Sequence, residues 1–146
     1  MASREFALKV VQELTYTRQD EAGRLVALSE ARLTEARQKL EALDSYRDQY
    51  AQQLIATGGS GVGIGQLRDL HAFIGRIDEA IAQHKLEIAR LEQGWQSALE
   101  QWSTRRQAAK TMDALEERHL LNLEREDRRL DQKQQDEFAS RRREHD

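Results

Sequence analysis

From Leu67 onward, apolar residues return every seven positions in two columns. The first column is Leu67, Ile74, Ile81, Ile88, Trp95, Trp102 and Ala109; the second is Leu70, Ile77, His84, Leu91, Ala98, Arg105 and Met112. Twelve of these fourteen positions are apolar in a chain that is only 38% hydrophobic, so composition alone does not produce the repeat. Apolar residues at a and d of a sustained heptad specify helices wound in a left-handed supercoil. A helix lying on a globular core would carry a wider stripe. The partner helix is sought in the same chain. Five of its eight glycines fall between Gly58 and Gly65, where their backbone entropy should open a helix. Upstream of that cluster, Leu33, Leu40 and Leu54 share one heptad column with Arg47, and Ala36, Leu43 and Tyr50 share its neighbour. Before Leu33 the apolar phase drifts through Leu8, Val11, Leu14, Ala22, Leu25 and Leu28.

The expected fold is therefore all-α: one long two-helix antiparallel coiled-coil hairpin spanning residues 1–146. Helix 1 is predicted over about 4–57, a Gly-rich loop over 58–65, a longer helix 2 over about 66–138 and a charged tail over 139–146. Ser3 and Gly58 stand where a start and a stop are wanted. The complete absence of proline and 34% charged residues suit such helices, which need only a narrow apolar seam. At 1.5 Å per residue the helices measure roughly 80 and 110 Å, so helix 2 should outrun helix 1 by about 20 residues. Of the 31 residues from Glu116 to Asp146, ten are acidic and eight basic, with Leu120, Leu121, Leu123, Leu130 and Phe138 as a broken apolar stripe. Nothing in helix 1 reaches them, and an uncovered stripe points either to a partner or to fraying of the chain on its own.

Catalytic chemistry finds no support. The glycine cluster lacks the Lys-Ser/Thr pair of a P-loop, and no G-x-G-x-x-G can be aligned in it. His71, His84, His119 and His145 are never three or four apart, so no helix face presents a paired metal-ligand set. With no cysteine there is neither a disulfide framework nor a thiolate site. No catalytic residue, cofactor or metal is expected, and the chain is read as a non-enzyme. A net charge of −3 argues against broad nucleic-acid binding. No signal peptide and no ~20-residue apolar span are found, so a cytoplasmic protein is expected. His84 at d suits a register-setting polar residue. Trp95 and Trp102 at a suit seam filling. Tyr46, Tyr50 and Phe73, partly off the columns, suit either wide packing or docking.

Three stretches carry a family resemblance: Leu43-x-x-Tyr46-x-x-x-Tyr50-x-x-x-Leu54 before the glycines, Phe73-Ile74-x-x-Ile77-x-x-Ala80-Ile81-x-Gln83-His84 after them, and Leu130-Asp131-Gln132-Lys133-x-x-Asp136-Glu137-Phe138-Ala139 near the C-terminus. In this order the chain resembles the FliJ family of flagellar type III export proteins. The resemblance implies a coiled coil like the γ stalk of rotary ATP synthases. It implies seating in the hexameric export ATPase FliI and promotion of its ring assembly. It further implies contact with the export gate protein FlhA, recycling of export chaperones, and a place at the cytoplasmic face of the inner membrane at the flagellar base. The gate-facing patch would fall on Leu43, Tyr46, Tyr50, Phe73, Ile77, Ala80 and His84. The ATPase-facing stripe would be Leu120, Leu123, Leu130 and Phe138. A stalk of a virulence type III secretion system and a generic coiled-coil adaptor are the alternatives.

Overall fold

A computed structural model describes residues 5–59, 61 and 63–145. Two helices account for nearly all of them: α1 (Lys9–Gly58) and α2 (Ile64–Glu144). The described residues contain no strand. The chain is an all-α helical hairpin with the longer helix second. It clusters into two compact units, Ala22–Trp102 and Met1–Glu21 with Ser103–Asp146.

In the Ala22–Trp102 unit the helices run antiparallel, since partners on α2 fall in number as those on α1 rise. Arg37 pairs with Glu92 at 2.8 Å, Arg47 pairs with Asp78, and Tyr50 meets Phe73. The core is the expected seam: Leu33, Ala36, Ile74, Ile77, Ile81 and Ala98 are buried. Burying each large aliphatic residue contributes about 1.5–3 kcal/mol. The three isoleucines follow one another at a and d with no polar interruption, which makes this the apolar centre of the pairing. His84, at d, is half-buried, and its Nε2 lies 2.7 Å from the Ala36 carbonyl oxygen. For that contact to be a hydrogen bond Nε2 must carry the proton and donate.

The first half of α1 departs from the expected phase. Besides Gly23, its buried and half-buried positions are Gln12, Thr15, Gln19, Ala22, Val26, Ser29, Leu33 and Ala36, a three-four alternation that continues through Leu40 and Leu43. The phase does not drift. Leu8, Val11, Leu14, Leu25 and Leu28 are exposed, each between 41% and 48%. For Leu25 and Leu28, in the Ala22–Trp102 unit, a physical reason lies on the facing helix. Trp95 and Trp102 fill the seam on α2, and a Cβ built on Gly23 would already stand 3.5 Å from the Trp102 indole nitrogen. Bulky indoles leave room for small residues on the facing helix, and leucines at those positions would overpack it.

In the Met1–Glu21 and Ser103–Asp146 unit the seam contains Ala109 and Met112, both buried, and one buried polar residue, Gln12, at 1% exposure. Its amide is fully used. Lys9 Nζ donates to Gln12 Oε1 at 3.2 Å, and Gln12 Nε2 donates to Tyr16 Oη at 3.2 Å and to Asp113 Oδ1 at 3.3 Å. Lys9 also reaches Glu116, and Tyr16 donates its hydroxyl to Asp113. A satisfied amide at a seam position fixes register, because any slip strands it without partners.

This network has a pH signature. The hydrogen bond to the Asp113 carboxylate, with partial burial and the negative charges of Asp113 and Glu116, holds the Tyr16 phenol above its ordinary value of 10.0. A raised folded-state pKa contributes stability that is present below the unfolded value and lost as pH rises through the folded one. Tyr16→Phe is therefore expected to be less stable than the parent at pH 8. The gap should close as the solution is taken through the raised phenol value. Urea midpoints of both chains across that range check it, and a constant gap would rule out the Tyr16–Asp113 bond as its source.

α1 starts at Lys9 rather than near residue 4, after a turn in which the Lys9 amide donates to the Phe6 carbonyl at 3.0 Å. The proposed cap Ser3 lies outside the described residues. At the other end α2 continues through the expected tail to Glu144, with Arg141, Arg142 and Arg143 in its last turn. Cationic side chains there complement the helix dipole, which explains the extension.

Candidate protein-interaction site

Two groups of side chains stand out, one in each unit. In the Ala22–Trp102 unit, near the turn, Tyr50 and Phe73 meet edge-on with ring centroids 4.7 Å apart and an interplanar angle of 68°. Such a contact adds about 0.5–1.5 kcal/mol beyond area burial. Phe73 keeps 38% of its surface, and Tyr46 keeps 56%. Ala80 is exposed, Leu43 and Tyr50 are half-buried, and Ile77 lies in the seam at 9% exposure. The seven residues of the sequence-derived patch thus divide. Tyr46, Phe73 and Ala80 are exposed, Leu43, Tyr50 and His84 are half-buried, and Ile77 belongs to the seam. His84 is further occupied by the Ala36 carbonyl.

Sequence reasoning did not find the polar border of this patch. Arg47 intrudes in a seam column, and the structure shows why it is tolerated. Its guanidinium hydrogen-bonds Asp78, which, with Asp48 and Asp44 adding negative charge, holds Arg47 above its already high value. On the side toward the turn, a shallow groove of about 340 Å³ is lined by Tyr50, Gln53, Gln66, Asp69 and Phe73 among others. An aromatic pair bordered by amides and charges has the composition of a protein-contact surface.

In the second unit, the Phe6 ring tilts against His119 at 5.7 Å. Leu123 is the last half-buried residue of α2, and from Glu124 onward every described residue is exposed. Leu120, Leu130 and Phe138 are 57%, 59% and 67% exposed. Of the four residues in the sequence-derived ATPase stripe, three are free surface and Leu123 borders the covered segment. About twenty residues of α2 thus stand beyond α1, as the unequal lengths required.

No described helix is long and apolar enough to cross a membrane, and the described His, Asp and Glu residues form no group placed to hold a metal. Fold and surfaces together define a class: an antiparallel two-helix coiled coil that carries exposed aromatic and apolar side chains outside its seam. The comparisons with known proteins narrow it. The family model for the flagellar FliJ protein matches residues 4–145. The flagellar FliJ protein of Salmonella typhi is 28% identical over 135 residues, covering 92% of each chain. That of Escherichia coli K12 is 27% identical over the same share. The chain belongs to the flagellar FliJ protein family and is by membership a flagellar export component. Among solved structures it is similar to a proposed YscO homolog from Chlamydia trachomatis, at 17% identity, a TM-score of 0.49 and 93% coverage of each chain.

Proposed function

We propose that this chain is the central stalk of the flagellar export ATPase. In this reading the uncovered end of α2 enters the FliI ring through Leu120, Leu123, Leu130 and Phe138 and promotes assembly of the hexamer. The observation that carries it is the complete exposure of α2 from Glu124 onward, with Leu130 and Phe138 among the exposed residues. A helix that retains large apolar side chains where its own partner has ended is suited to a second protein surface. A stalk that binds the assembled ring more tightly than free subunits shifts the population toward the ring, by as much as the two affinities differ. The aromatic patch of Tyr46, Tyr50 and Phe73, with Leu43, Ile77, Ala80 and His84, is assigned to the export gate protein FlhA. Escort of export chaperones, and peripheral attachment at the cytoplasmic face of the inner membrane, complete the proposal.

The test is the turnover rate of the cognate ATPase at concentrations where it is largely unassembled, with and without this protein. Stimulation by the parent chain is expected. The double variant Leu130→Glu with Phe138→Glu should reduce that stimulation by roughly tenfold or more, because hot-spot side chains dominate such contacts. Since both residues are exposed, its helicity and melting temperature should match the parent. Full stimulation by the double variant would refute entry through this segment, and no stimulation by the parent would refute the stalk.

A further inference from the structure

On α1, outside the seam, residues 18, 21, 25, 28, 32 and 35 follow the same three-four alternation as the seam itself, one position out of phase with it. They are Arg18, Glu21, Leu25, Leu28, Arg32 and Glu35, and all six are exposed. The order is a charged pair, a leucine pair and a charged pair, with arginine first in both charged pairs. That order is its own complement when reversed. About a two-fold axis between residues 26 and 27, Leu25 of one copy meets Leu28 of the other, Arg18 meets Glu35, and Glu21 meets Arg32. Every charged contact is attractive. Run parallel, the same faces would oppose Arg18 to Arg18 and Glu21 to Glu21, so the charges select the antiparallel arrangement.

We propose that this face of α1 is a self-association surface, on which a second copy of the chain docks antiparallel about that axis. A two-fold contact uses one patch twice, and the reversed charge order supplies the self-complementarity it requires. Antiparallel coiled coils pair first-column with second-column positions, which is how each of these contacts is made. The inference also accounts for the exposure of Leu25 and Leu28. The indoles of α2 exclude leucines from the facing seam, and a second copy gives them cover.

Sedimentation equilibrium of the full chain, run from micromolar to millimolar concentration, tests the proposal. A reversible monomer–dimer equilibrium is expected at low salt, weakened by added salt. Arg18→Glu reverses two symmetry-related contacts and should weaken the dimer about tenfold. Adding Glu35→Arg to Arg18→Glu should recover the parent affinity, which a general loss of helix stability would not allow. Leu28→Glu should leave a monomer with unchanged helicity, because the side chain is exposed in the single chain. A chain that stays monomeric throughout, a dimer indifferent to Leu28→Glu, or a double charge swap that fails to restore affinity would each overturn the proposal.

Discussion

Replacing Ile77 by aspartate should lower the stability of the Ala22–Trp102 unit by about 4 kcal/mol, enough to consume much of what a small domain possesses. Ile77 retains 9% of its surface and lies between Ile74 and Ile81, at 8% and 7%, where three seam isoleucines in succession are buried. Two costs combine in the substitution. The apolar burial of one isoleucine is lost, and a carboxylate is placed in a buried seam position flanked by two buried isoleucines. Arg47, a cation of the facing helix, is already engaged by Asp78, the chain neighbour of Ile77. Urea unfolding followed by circular dichroism measures the change, and a loss below about 1 kcal/mol would mean that the seam is not the source of stability. The contrast with Tyr46 is informative. At 56% exposure its ring is not part of the seam, so a loss of binding on altering Tyr46 can be read as lost contact. The same loss on altering Ile77 cannot be separated from lost structure.

A second large effect is expected from Trp102→Ala, of about 2–3 kcal/mol. The indole is half-buried and stands over Gly23, the one glycine of α1 whose Cβ position meets another helix. Removing it leaves a void that a residue without a side chain cannot fill. Chemical denaturation of the variant measures the cost. A neutral result would show that α1 can move in to close the gap, and that the indole does not decide which residues of α1 face it.

That indole marks the boundary of what the sequence discloses. On α2 the two columns from Leu67 to Met112 were readable because they are apolar, and the structure buries or half-buries every one of them except Arg105. On α1 the columns from Leu33 onward were readable for the same reason. Ahead of Leu33 the periodicity points to the wrong face. Hydrophobicity follows Val11, Leu14, Leu25 and Leu28, whereas packing follows Gln12, Thr15, Gln19 and Ser29. Around Gly23 the deciding quantity is volume across the seam, and a pattern of apolar and polar letters on one helix does not contain the size of the residue facing it. Gln12 shows the same limit. An amide in a seam column reads as a flaw until the positions of Lys9, Tyr16 and Asp113 are known. The candidate surfaces were legible as residues but not as roles. Tyr46 and Phe73 do present surface, while Ile77 belongs to the interior and His84 is bound to a backbone carbonyl. Neither assignment follows from spacing alone.

The turn between the helices has an experimental use. A Cβ added at Gly58, Gly63 or Gly65 would meet nothing within 4 Å, and of the described glycines only Gly61, at φ 76°, requires a backbone that other residues rarely adopt. Glycine at the other three positions satisfies no steric demand. Because the chain has no native thiol, a single Gly63→Cys exchange would give one uniquely addressable sulfur beside the start of α2. A dye coupled there would report on whatever approaches the aromatic patch in the same unit, while the seam that holds the helices together is left untouched.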